Sequence, residues 1–434
     1  MLNMYASWMP DAPQLNNTWG QLNAVLNWCL VDDGAELPIT SVENTDKIGI
    51  LKINAPQETV NKFAKDMTIS IVGSFYTELT SKPFLIVDIG QGWIKIARKD
   101  FPTEILTDTA DTLTIKRVSA GMKRLFGGVT EKKTIFQTGD NKFCLRIDDT
   151  NPTDGGRMSI TSWTESWHKM GRVMISNGFN SLDEVNGYFA PFANTNNDQY
   201  NMNPSGDYNG WSKWYYNPTW STEGGNYDAY PVGRFNNAWS LFANDKVMYL
   251  IIYGGTGLTY HAFSYMFGEF ESNDENFPYN CILASHNRLH TYSQGTDYIT
   301  PHSQYNTPLF QRSYYNYYHN IMLRSYTGVY TGGRIYPYSF DFGSNNSGGG
   351  GITYPNPQDN LISLNDIMVY ADGNLYGKYI GVKWISHYVY NKISNGVTFK
   401  YKDGINDKYY KHMILNQEGD NTSNFTSAMF DITK

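Results

Sequence analysis

The strongest pattern of hydrophobic and polar positions lies at the centre of the chain, in residues 239–253. A hydrophobic segment leads into the polar sequence Ala-Asn-Asp-Lys, and a second hydrophobic segment, residues 247–253, follows it. Asn244 and Asp245 suit a tight turn because these residue types tolerate positive φ angles and bond the nearby backbone. The second segment is almost continuously apolar, β-branched and aromatic, which favours a strand buried on both faces. The pattern predicts a β-hairpin at the centre of a large all-β core.

A helical pattern precedes this region, in residues 15–31. Asn17 and Thr18 are candidates for the N-cap, and the sequence Asp-Asp-Gly at residues 32–34 ends the pattern. The apolar side chains that recur at helical spacing are Leu22, Val25, Leu26, Cys29 and Leu30. We therefore expect one N-terminal helix within a segment that spans residues 1–44.

Residues 45–117 predict a small β module. Five short strand candidates are separated by turn sequences, and their spacing is typical of a small five-stranded barrel or sandwich. They cover residues 48–53, 67–72, 84–89, 93–97 and 112–116. Because a helix precedes this module and a second β region follows it, we interpret it as an insertion or adaptor.

Residues 118–434 predict a larger antiparallel β-sandwich domain with long loops. Beyond the central hairpin, the strand candidates cover residues 134–137, 142–147, 156–163, 258–270, 367–370, 376–380, 397–401 and 409–415. Two long segments rich in aromatic and polar residues, 190–232 and 286–320, interrupt them, and residues 343–351 form a Gly- and Ser-rich loop. Long loops of this kind favour binding or contacts with partners. The fold class predicted for the chain is therefore mainly β.

The aromatic side chains of the two long segments are the candidate interface residues. Tyr and Trp are favoured at interfaces because they bury a large area and keep a polar group. The candidates are Trp211, Trp214, Tyr215, Tyr216, Trp220, Tyr314, Tyr315, Tyr317 and Tyr318. Together with Trp163 and Trp167, the tryptophans of the first segment also fit a platform on which sugars stack, and both uses stay open.

Composition limits the class of protein. Of the 434 residues, 17% are charged and 15% are aromatic, which is typical of β-rich proteins with broad interfaces. A net charge of −7 without long basic runs argues against nucleic-acid binding. The three distant cysteines, Cys29, Cys144 and Cys281, predict buried side chains and neither disulfides nor a zinc site. We expect no signal peptide, no transmembrane helix, no membrane binding and no cofactor, in a protein made in a cytoplasm.

Two pairs of residues have spacings known from metal sites or acid–base pairs. His286 and His290 are four residues apart, as metal ligands on one helix face are, but they lack the glutamate of the metalloprotease pattern. We interpret them as loop histidines.

Asp148 and Asp149 follow an apolar strand, and adjacent residues of a strand point to opposite faces. The pattern therefore favours an Asx-type turn over an acid–base pair.

Glu269 and Glu271 are the third pair of interest. Residues two apart on a strand share one face, and two carboxylates that flank a glycosidic bond are the machinery of glycan hydrolysis. The sequence contains no Gly-rich phosphate loop, no nucleophilic serine elbow and no Cys/His nucleophile pattern. A β-rich glycan hydrolase is therefore the least favoured of the functions considered.

Several short segments, in order along the chain, resemble a family of tailed-bacteriophage virion proteins. The N-terminal part combines Met-Pro-Asp-Ala-Pro at residues 9–13, Gly-Gln-Leu at 20–22 and Cys-Leu-Val at 29–31. The family has Ala-Pro, a helix with Gly-x-Leu, and Cys-Leu-Val. Phe-Gln-Thr at residues 136–138 and Leu-Arg-Ile-Asp-Asp-Thr at 145–150 resemble its Tyr-Arg-Ser and Leu-Arg-Val-Asp-Asp strand pair.

The central and C-terminal parts extend the resemblance. Residues 239–253 resemble the family's hairpin, although the turn is Ala-Asn-Asp-Lys where the family has Gly-Asp-Gly-Arg. Residues 267–270 resemble its Phe-Gly-Asp, and residues 373–382 resemble its late Arg-Gly-x-x-Pro-Gly, with Tyr376 at the arginine and Ile380 at the proline. The core motif of these segments consists of Trp239, Asn244, Asp245, Tyr249, Phe267 and Gly268.

The resemblance implies a non-enzymatic structural component of a tailed-phage virion, at the neck, collar or tail. It implies that several copies assemble as a homo-oligomer in the host cytoplasm and contact other virion proteins, namely portal, neck, tail or fibre proteins. Residues 190–232 and 286–320 would then contact neighbours. Residues 45–117, placed like the family's variable small β insertion, would adapt the protein to its particle. A receptor- or glycan-binding fibre or decoration protein is the alternative.

Overall fold

The computed structural model describes most of the first 149 residues and many of the strands that follow. The described residues are 1–15, 20–74, 76, 79–80, 82–98, 108–109, 112–149, 168–184, 186, 189–190, 212–218, 238–254, 261–286, 319–324, 330–335, 364–371, 374–385, 394–403, 406–417 and 425–434. Over these residues, strands greatly outnumber helices and form several antiparallel sheets. The prediction of a mainly β protein is confirmed.

The described elements follow each other along the chain in this order. The helices are α1 (Gln21–Leu30) and α2 (Gln57–Val60). The strands up to residue 190 are β1 (Asn3–Ala6), β2 (Leu37–Pro38), β3 (Ser41–Asn44), β4 (Ile50–Asn54), β5 (Thr68–Val72), β6 (Pro83–Gly90), β7 (Trp93–Ala97), β8 (Thr114–Arg117), β9 (Lys123–Gly128), β10 (Lys133–Gln137), β11 (Cys144–Asp148), β12 (His168–Ser176) and β13 (Phe189–Ala190). The later strands are β14 (Ser212–Pro218), β15 (Trp239–Ala243), β16 (Val247–Gly254), β17 (His261–Glu269), β18 (Glu271–Ser272), β19 (Cys281–His286), β20 (His319–Arg324), β21 (Tyr330–Ile335), β22 (Leu364–Ala371), β23 (Asn374–Ile385), β24 (Thr398–Asp403), β25 (Asn406–Gln417) and β26 (Phe425–Asp431).

The central hairpin forms as the sequence predicts. Strand β15 pairs with β16, β1 pairs with the other edge of β15, and β17 pairs with the other edge of β16. Residues 247–251 are all buried, as expected for a strand with both faces covered. The hairpin therefore lies inside an eleven-stranded sheet with the order β1-β15-β16-β17-β25-β26-β23-β18, to which β19, β22 and β24 add as branches.

The hairpin turn uses side-chain hydrogen bonds and no left-handed backbone. The Asn244 Oδ1 atom accepts hydrogen bonds from the backbone N–H groups of Lys246 and Val247, at 2.9 Å and 3.0 Å. Neither Asn244 nor Asp245 has a positive φ, so the turn depends on the side-chain hydrogen bonds of Asn244 and not on a left-handed backbone. The Asx-type hydrogen bonds close the turn without the strained conformation.

Helix α1 begins later than its hydrophobic pattern predicts. It starts at Gln21, after Gly20 in a left-handed conformation with φ 96°. The cap candidates Asn17 and Thr18 lie outside the described residues. The N-terminal end of the helix is bound by a carboxylate that is distant in sequence, because Asp149 Oδ2 accepts the backbone N–H of Asn23 at 3.1 Å.

The small β module contains more strands than predicted. All five expected strands form, as β4, β5, β6, β7 and β8. Two additional strands, β2 and β3, come from the segment assigned to the N-terminal helix, and they extend the sheet to the order β2-β8-β5-β6-β7-β4-β3. These strands have only two and four residues, too few for a hydrophobic alternation to identify them from sequence.

A six-stranded sheet and a two-stranded ribbon complete the described fold. The six-stranded sheet has the order β13-β12-β11-β10-β9, with β14 paired to β12, and β20 pairs with β21. Strand β14 lies within residues 190–232, and β20 begins within residues 286–320. The prediction that these two segments are loops throughout is therefore wrong. The predicted strand at 156–163 and the loop at 343–351 lie outside the described residues.

Two hydrophobic clusters connect these sheets. The larger cluster combines side chains of the eleven-stranded and seven-stranded sheets, and within it Phe242 stacks on Phe430 with ring centroids 4.1 Å apart. The second cluster joins α1 to β10, β11, β15 and β16. The small module is therefore attached to the large sheet through continuous apolar burial. No helix in the described part of the chain is long and apolar enough to cross a membrane.

The cysteines behave as the sequence predicts. Cys29, Cys144 and Cys281 all lie within described ranges, where they are buried and form no disulfide. Burial raises the pKa of the Cys144 thiol to about 11 and raises the pKa of the Cys29 thiol well above its ordinary value. Thiols with raised pKa values are poor nucleophiles at neutral pH, which favours a packing role for both residues.

Candidate functional site

The tip of the central hairpin, residues 244–246, lies against the loop 138–142 between β10 and β11. The Gly139 N–H donates a hydrogen bond to the Asp245 carbonyl oxygen at 2.7 Å. A Cβ atom added at Gly139 would be 2.7 Å from Asp245 Oδ2, so a larger residue in the loop would require the Asp245 side chain to move. We call this junction, with the end of β17, the hairpin-tip site.

Gly268 brings β17 to the same junction. Its backbone has φ 128°, and a Cβ atom at this position would lie 2.1 Å from the Lys246 carbonyl oxygen and 2.6 Å from Val247 Cα. The following residue, Glu269, donates its N–H to the Lys246 carbonyl oxygen at 3.0 Å. Only glycine combines this backbone angle with this approach, so Gly268 allows β17 to place Glu269 beside the hairpin tip.

Three charged side chains meet at the hairpin-tip site. The Lys246 Nζ atom is 3.4 Å from Asp140 Oδ2 and 3.3 Å from Glu269 Oε2. Burial, together with a hydrogen bond to Asp140 and the charge of that carboxylate, raises the pKa of Glu269. Burial alone would raise the pKa of Asp140. Hydrogen bonds from Thr138 and Glu269 outweigh this effect and hold the pKa well below its ordinary value. The site therefore contains a carboxylate, a carboxyl group that holds its proton more tightly, and an ammonium group between them.

The structure separates the two glutamates that the sequence suggested as a pair. Strand β17 ends at Glu269, which is buried, and β18 begins at Glu271, whose side chain is 63% exposed and lies 3.4 Å from Lys378. Glu269 instead contacts Lys246 and Asp140. The break in the strand at Phe270 removes the strict alternation on which the prediction of a shared face depended.

Substitution of Glu269 tests the carboxyl pair. A raised folded-state pKa adds stability that is present below the ordinary glutamate value and is lost as the pH rises through the raised value. We therefore expect the free energy of unfolding of wild type minus that of Glu269→Gln to fall as the pH rises above about 4.3, the ordinary glutamate pKa. Urea unfolding at several pH values measures this difference. A difference that stays constant or rises would contradict the pairing.

Glu271→Gln is the matched control for that experiment. The exposed Glu271–Lys378 pair is a surface salt bridge, and such pairs contribute about 0–1 kcal/mol. We expect the difference between wild type and this variant to stay within that range across the same pH series. Equal pH dependence in both variants would show that the effect does not come from the hairpin-tip site.

An aromatic cluster supports the other end of the hairpin. The Trp239 indole N–H donates to the Pro13 carbonyl oxygen at 3.0 Å, and its ring meets Trp28 edge to face at 6.1 Å. The Arg117 guanidinium lies over the Trp28 ring at 3.9 Å and donates to the carbonyl oxygens of Trp28 and Asp32. This arrangement caps the C-terminal end of α1 with a cation and fixes the hairpin against the helix.

The three aromatic residues of the core motif belong to the buried framework around these contacts, whereas Asp245 is exposed. Trp239, Tyr249 and Phe267 are at most 1% exposed. The Tyr249 hydroxyl donates to the Ile380 carbonyl oxygen at 2.9 Å, and burial raises its pKa well above the ordinary value. Asn244 closes the turn, and Gly268 permits the close approach, so the motif residues described here act by packing and backbone geometry.

The two adjacent aspartates have separate environments. Asp148 and Asp149 are both buried; Lys133 Nζ is 3.9 Å from Asp148 Oδ2, and Asp149 binds the N-terminal end of α1 through Asn23. These two contacts involve different elements, as expected for adjacent residues whose side chains point in opposite directions. Asp148 belongs to β11, and the residues that would complete the predicted turn lie outside the described part.

The remaining candidates are placed only in part. Trp214, Tyr215 and Tyr216 belong to β14, where they pair in register with residues 169–171 of β12. His286 is the last residue of β19. The candidates outside the described residues are Trp163, Trp167, Trp211, Trp220, His290, Tyr314, Tyr315, Tyr317 and Tyr318. Over the described residues, no group of three or more His, Cys, Asp or Glu side chains has a geometry suited to a metal ion.

Sequence reasoning did not find Asp140 or Lys246 as partners of Glu269. The three residues lie on different segments, and only the three-dimensional pairing of β17 with the hairpin brings them together.

The chain matches no family model, and no curated protein matches it. The residues of the hairpin-tip site form an ion-paired joint between the end of β17, the hairpin turn and the 138–142 loop.

Proposed function

We propose that this chain is a non-enzymatic structural component of a tailed-phage virion that assembles in several copies at the neck, collar or tail. One observation carries the proposal: the segments that resemble the virion family lie far apart in sequence but pack against one another in the fold. Segments that define a shared scaffold are expected to meet in this way, whereas chance similarities would scatter over the molecule.

Four contacts link these segments. Residues 9–13 reach the hairpin through the Pro13–Trp239 hydrogen bond. Residues 20–22 begin the helix whose end Asp149 binds. The hairpin tip bonds Gly139, next to residues 136–138, and Gly268 packs on the hairpin turn. The second hydrophobic cluster fills the space between α1 and these strands. The scaffold therefore has its own continuous core.

The charged groups of the hairpin-tip site support a structural role. Lys246 is shared between Asp140 and Glu269, so the three charged side chains contact one another within the chain. Such a cluster fixes the relative positions of β17, the hairpin and the 138–142 loop. In the proposal, residues 190–232 and 286–320 contact neighbouring copies and portal, neck, tail or fibre proteins, and the protein is located in the virion.

The layer arrangement also belongs to the proposal. The second hydrophobic cluster contains Leu145 of the six-stranded sheet and Leu241 of the eleven-stranded sheet, which supports packing of these two sheets as a sandwich. Residues 1–44, 45–117 and 118–434 remain the proposed division of the chain, with the module at 45–117 as the adaptor.

The test is to identify this chain in purified particles and to trace it in an electron cryomicroscopy map. We expect its peptides in the particle digest and its density in a ring or in spikes at the neck or tail, with residues 190–232 between subunits. Density that projects from a tip with the same residues exposed would favour the receptor- or glycan-binding alternative. Absence of the protein from particles would refute the proposal.

A further inference from the structure

A buried lysine contacts a buried carboxamide where β1 meets the C-terminal segment. The Lys434 Nζ atom donates to the Asn3 Oδ1 atom at 2.6 Å and to the Leu2 carbonyl oxygen at 2.9 Å. Lys434 is 6% exposed and Asn3 is 8% exposed. None of the ion pairs found among the described residues includes Lys434. The amine therefore faces neutral oxygen atoms in a site from which water is almost excluded.

The environment of Lys434 favours its uncharged form. Burial lowers the pKa of Lys434 to about 7, while the charge of Asp431 acts in the opposite direction. At neutral pH, a substantial fraction of the side chain is then a free amine with an available lone pair. Lysines become nucleophiles in this way, because the protonated ammonium form has no lone pair to donate.

The carboxamide of Asn3 is held in one orientation. Its Nδ2 group donates to the Ser119 carbonyl oxygen at 2.8 Å and to the Tyr5 hydroxyl at 3.1 Å, so its Oδ1 atom must face Lys434. The Tyr5 hydroxyl is itself fixed, since it donates to the Val118 carbonyl oxygen at 2.9 Å. Holding two reacting groups in contact replaces a bimolecular reaction by an intramolecular one.

We propose that Lys434 and Asn3 form an intramolecular isopeptide bond after folding. The Nζ lone pair of the neutral amine attacks Asn3 Cγ, and a new bond forms between Nζ and Cγ. The bond between Cγ and Nδ2 breaks, one proton passes from Nζ to Nδ2, and Nδ2 leaves as ammonia. The product is a secondary amide, and the reaction needs no oxidant, reductant or cofactor.

The bond would tie two segments that already lie together. The Leu2 N–H donates to the Asp431 carbonyl oxygen at 2.8 Å, so the N-terminal segment and the end of β26 are neighbours before any reaction. A covalent link between Asn3 and Lys434 closes residues 3–434 into one loop, which restricts the unfolded state as a disulfide does. This inference does not depend on the proposed virion function.

Mass spectrometry of the purified full-length chain tests the proposal directly. We expect an intact mass lower than that of the sequence by one ammonia, and a tryptic digest with one linked peptide pair joined through Asn3 and Lys434. A succinimide at an asparagine gives the same loss of ammonia, so the linked pair decides. A full intact mass after prolonged incubation of the folded protein, or the loss without a linked pair, would overturn the proposal.

Two variants separate the chemistry from folding. Lys434→Arg keeps donors for the Leu2 and Asn3 oxygen atoms, but its guanidinium stays protonated and is not a nucleophile, so we expect the full mass and no linked pair. Lys378→Arg changes a half-buried lysine whose partner is Glu271, and we expect it to retain the ammonia loss and the link. A linked pair at the same position in Lys434→Arg would refute the assignment.

Discussion

Gly268→Ala is expected to destabilise the protein by at least about 4 kcal/mol, or to prevent folding. The added methyl group would lie 2.1 Å from the Lys246 carbonyl oxygen and 2.6 Å from Val247 Cα, and both are backbone atoms of a buried hairpin. The φ of 128° adds about 1–3 kcal/mol of strain for any residue with a Cβ atom. Relief of the clash requires β17 to move away from the turn, which breaks the hydrogen bond between Glu269 and Lys246. Urea unfolding, or the yield of folded protein, measures the effect.

Gly396→Ala is the matched control. Gly396 also has a positive φ, 77°, but a Cβ atom there would meet nothing within 4 Å. This variant carries only the cost of the left-handed backbone, about 1–2 kcal/mol. A similar loss in both variants would show that backbone angle alone explains the importance of Gly268, and that the close approach to the hairpin turn contributes little.

Local patterns in the sequence predict the elements of this fold better than they predict how the elements meet. The hairpin and the five strands of the small module follow from apolar alternation and turn residues, which are properties of neighbouring positions. The start of α1 does not follow from such local patterns. Its N-terminal end is bound by Asp149, which lies more than a hundred residues later in the chain. Strand β14 was missed because Asn, Gly, Trp and Tyr in the surrounding segment are also typical of loops.

The charged groups of the candidate site were still harder to predict. Glu269 stood out in the sequence only because Glu271 follows it, and this neighbour turned out to contact a different lysine. Its true neighbours, Asp140 and Lys246, become visible only when the register of β17 against β16 is known. A pairing of this kind is set by tertiary structure, and no spacing rule along the chain encodes it.

The buried ion pair between Asp66 and Lys411 provides the second large prediction. Lys411 Nζ is 2.7 Å from Asp66 Oδ2, both side chains are at most 7% exposed, and the Thr398 hydroxyl donates to the same Oδ2 atom. The pair joins the small module to the eleven-stranded sheet. Lys411→Met leaves the aspartate buried without its cation, and removal of one partner of such a pair costs about 3–5 kcal/mol. We expect a loss of this size in urea or thermal unfolding.

The double variant Asp66→Asn with Lys411→Met tests the physical reason. Asp66 has φ 70°, a conformation that asparagine tolerates well, so the substitution removes the charge and keeps the backbone. Because no unpaired charge remains buried, the double variant should recover most of the stability that Lys411→Met loses. If the double variant is as unstable as the sum of the two single variants, the ion pair is not the source of the effect.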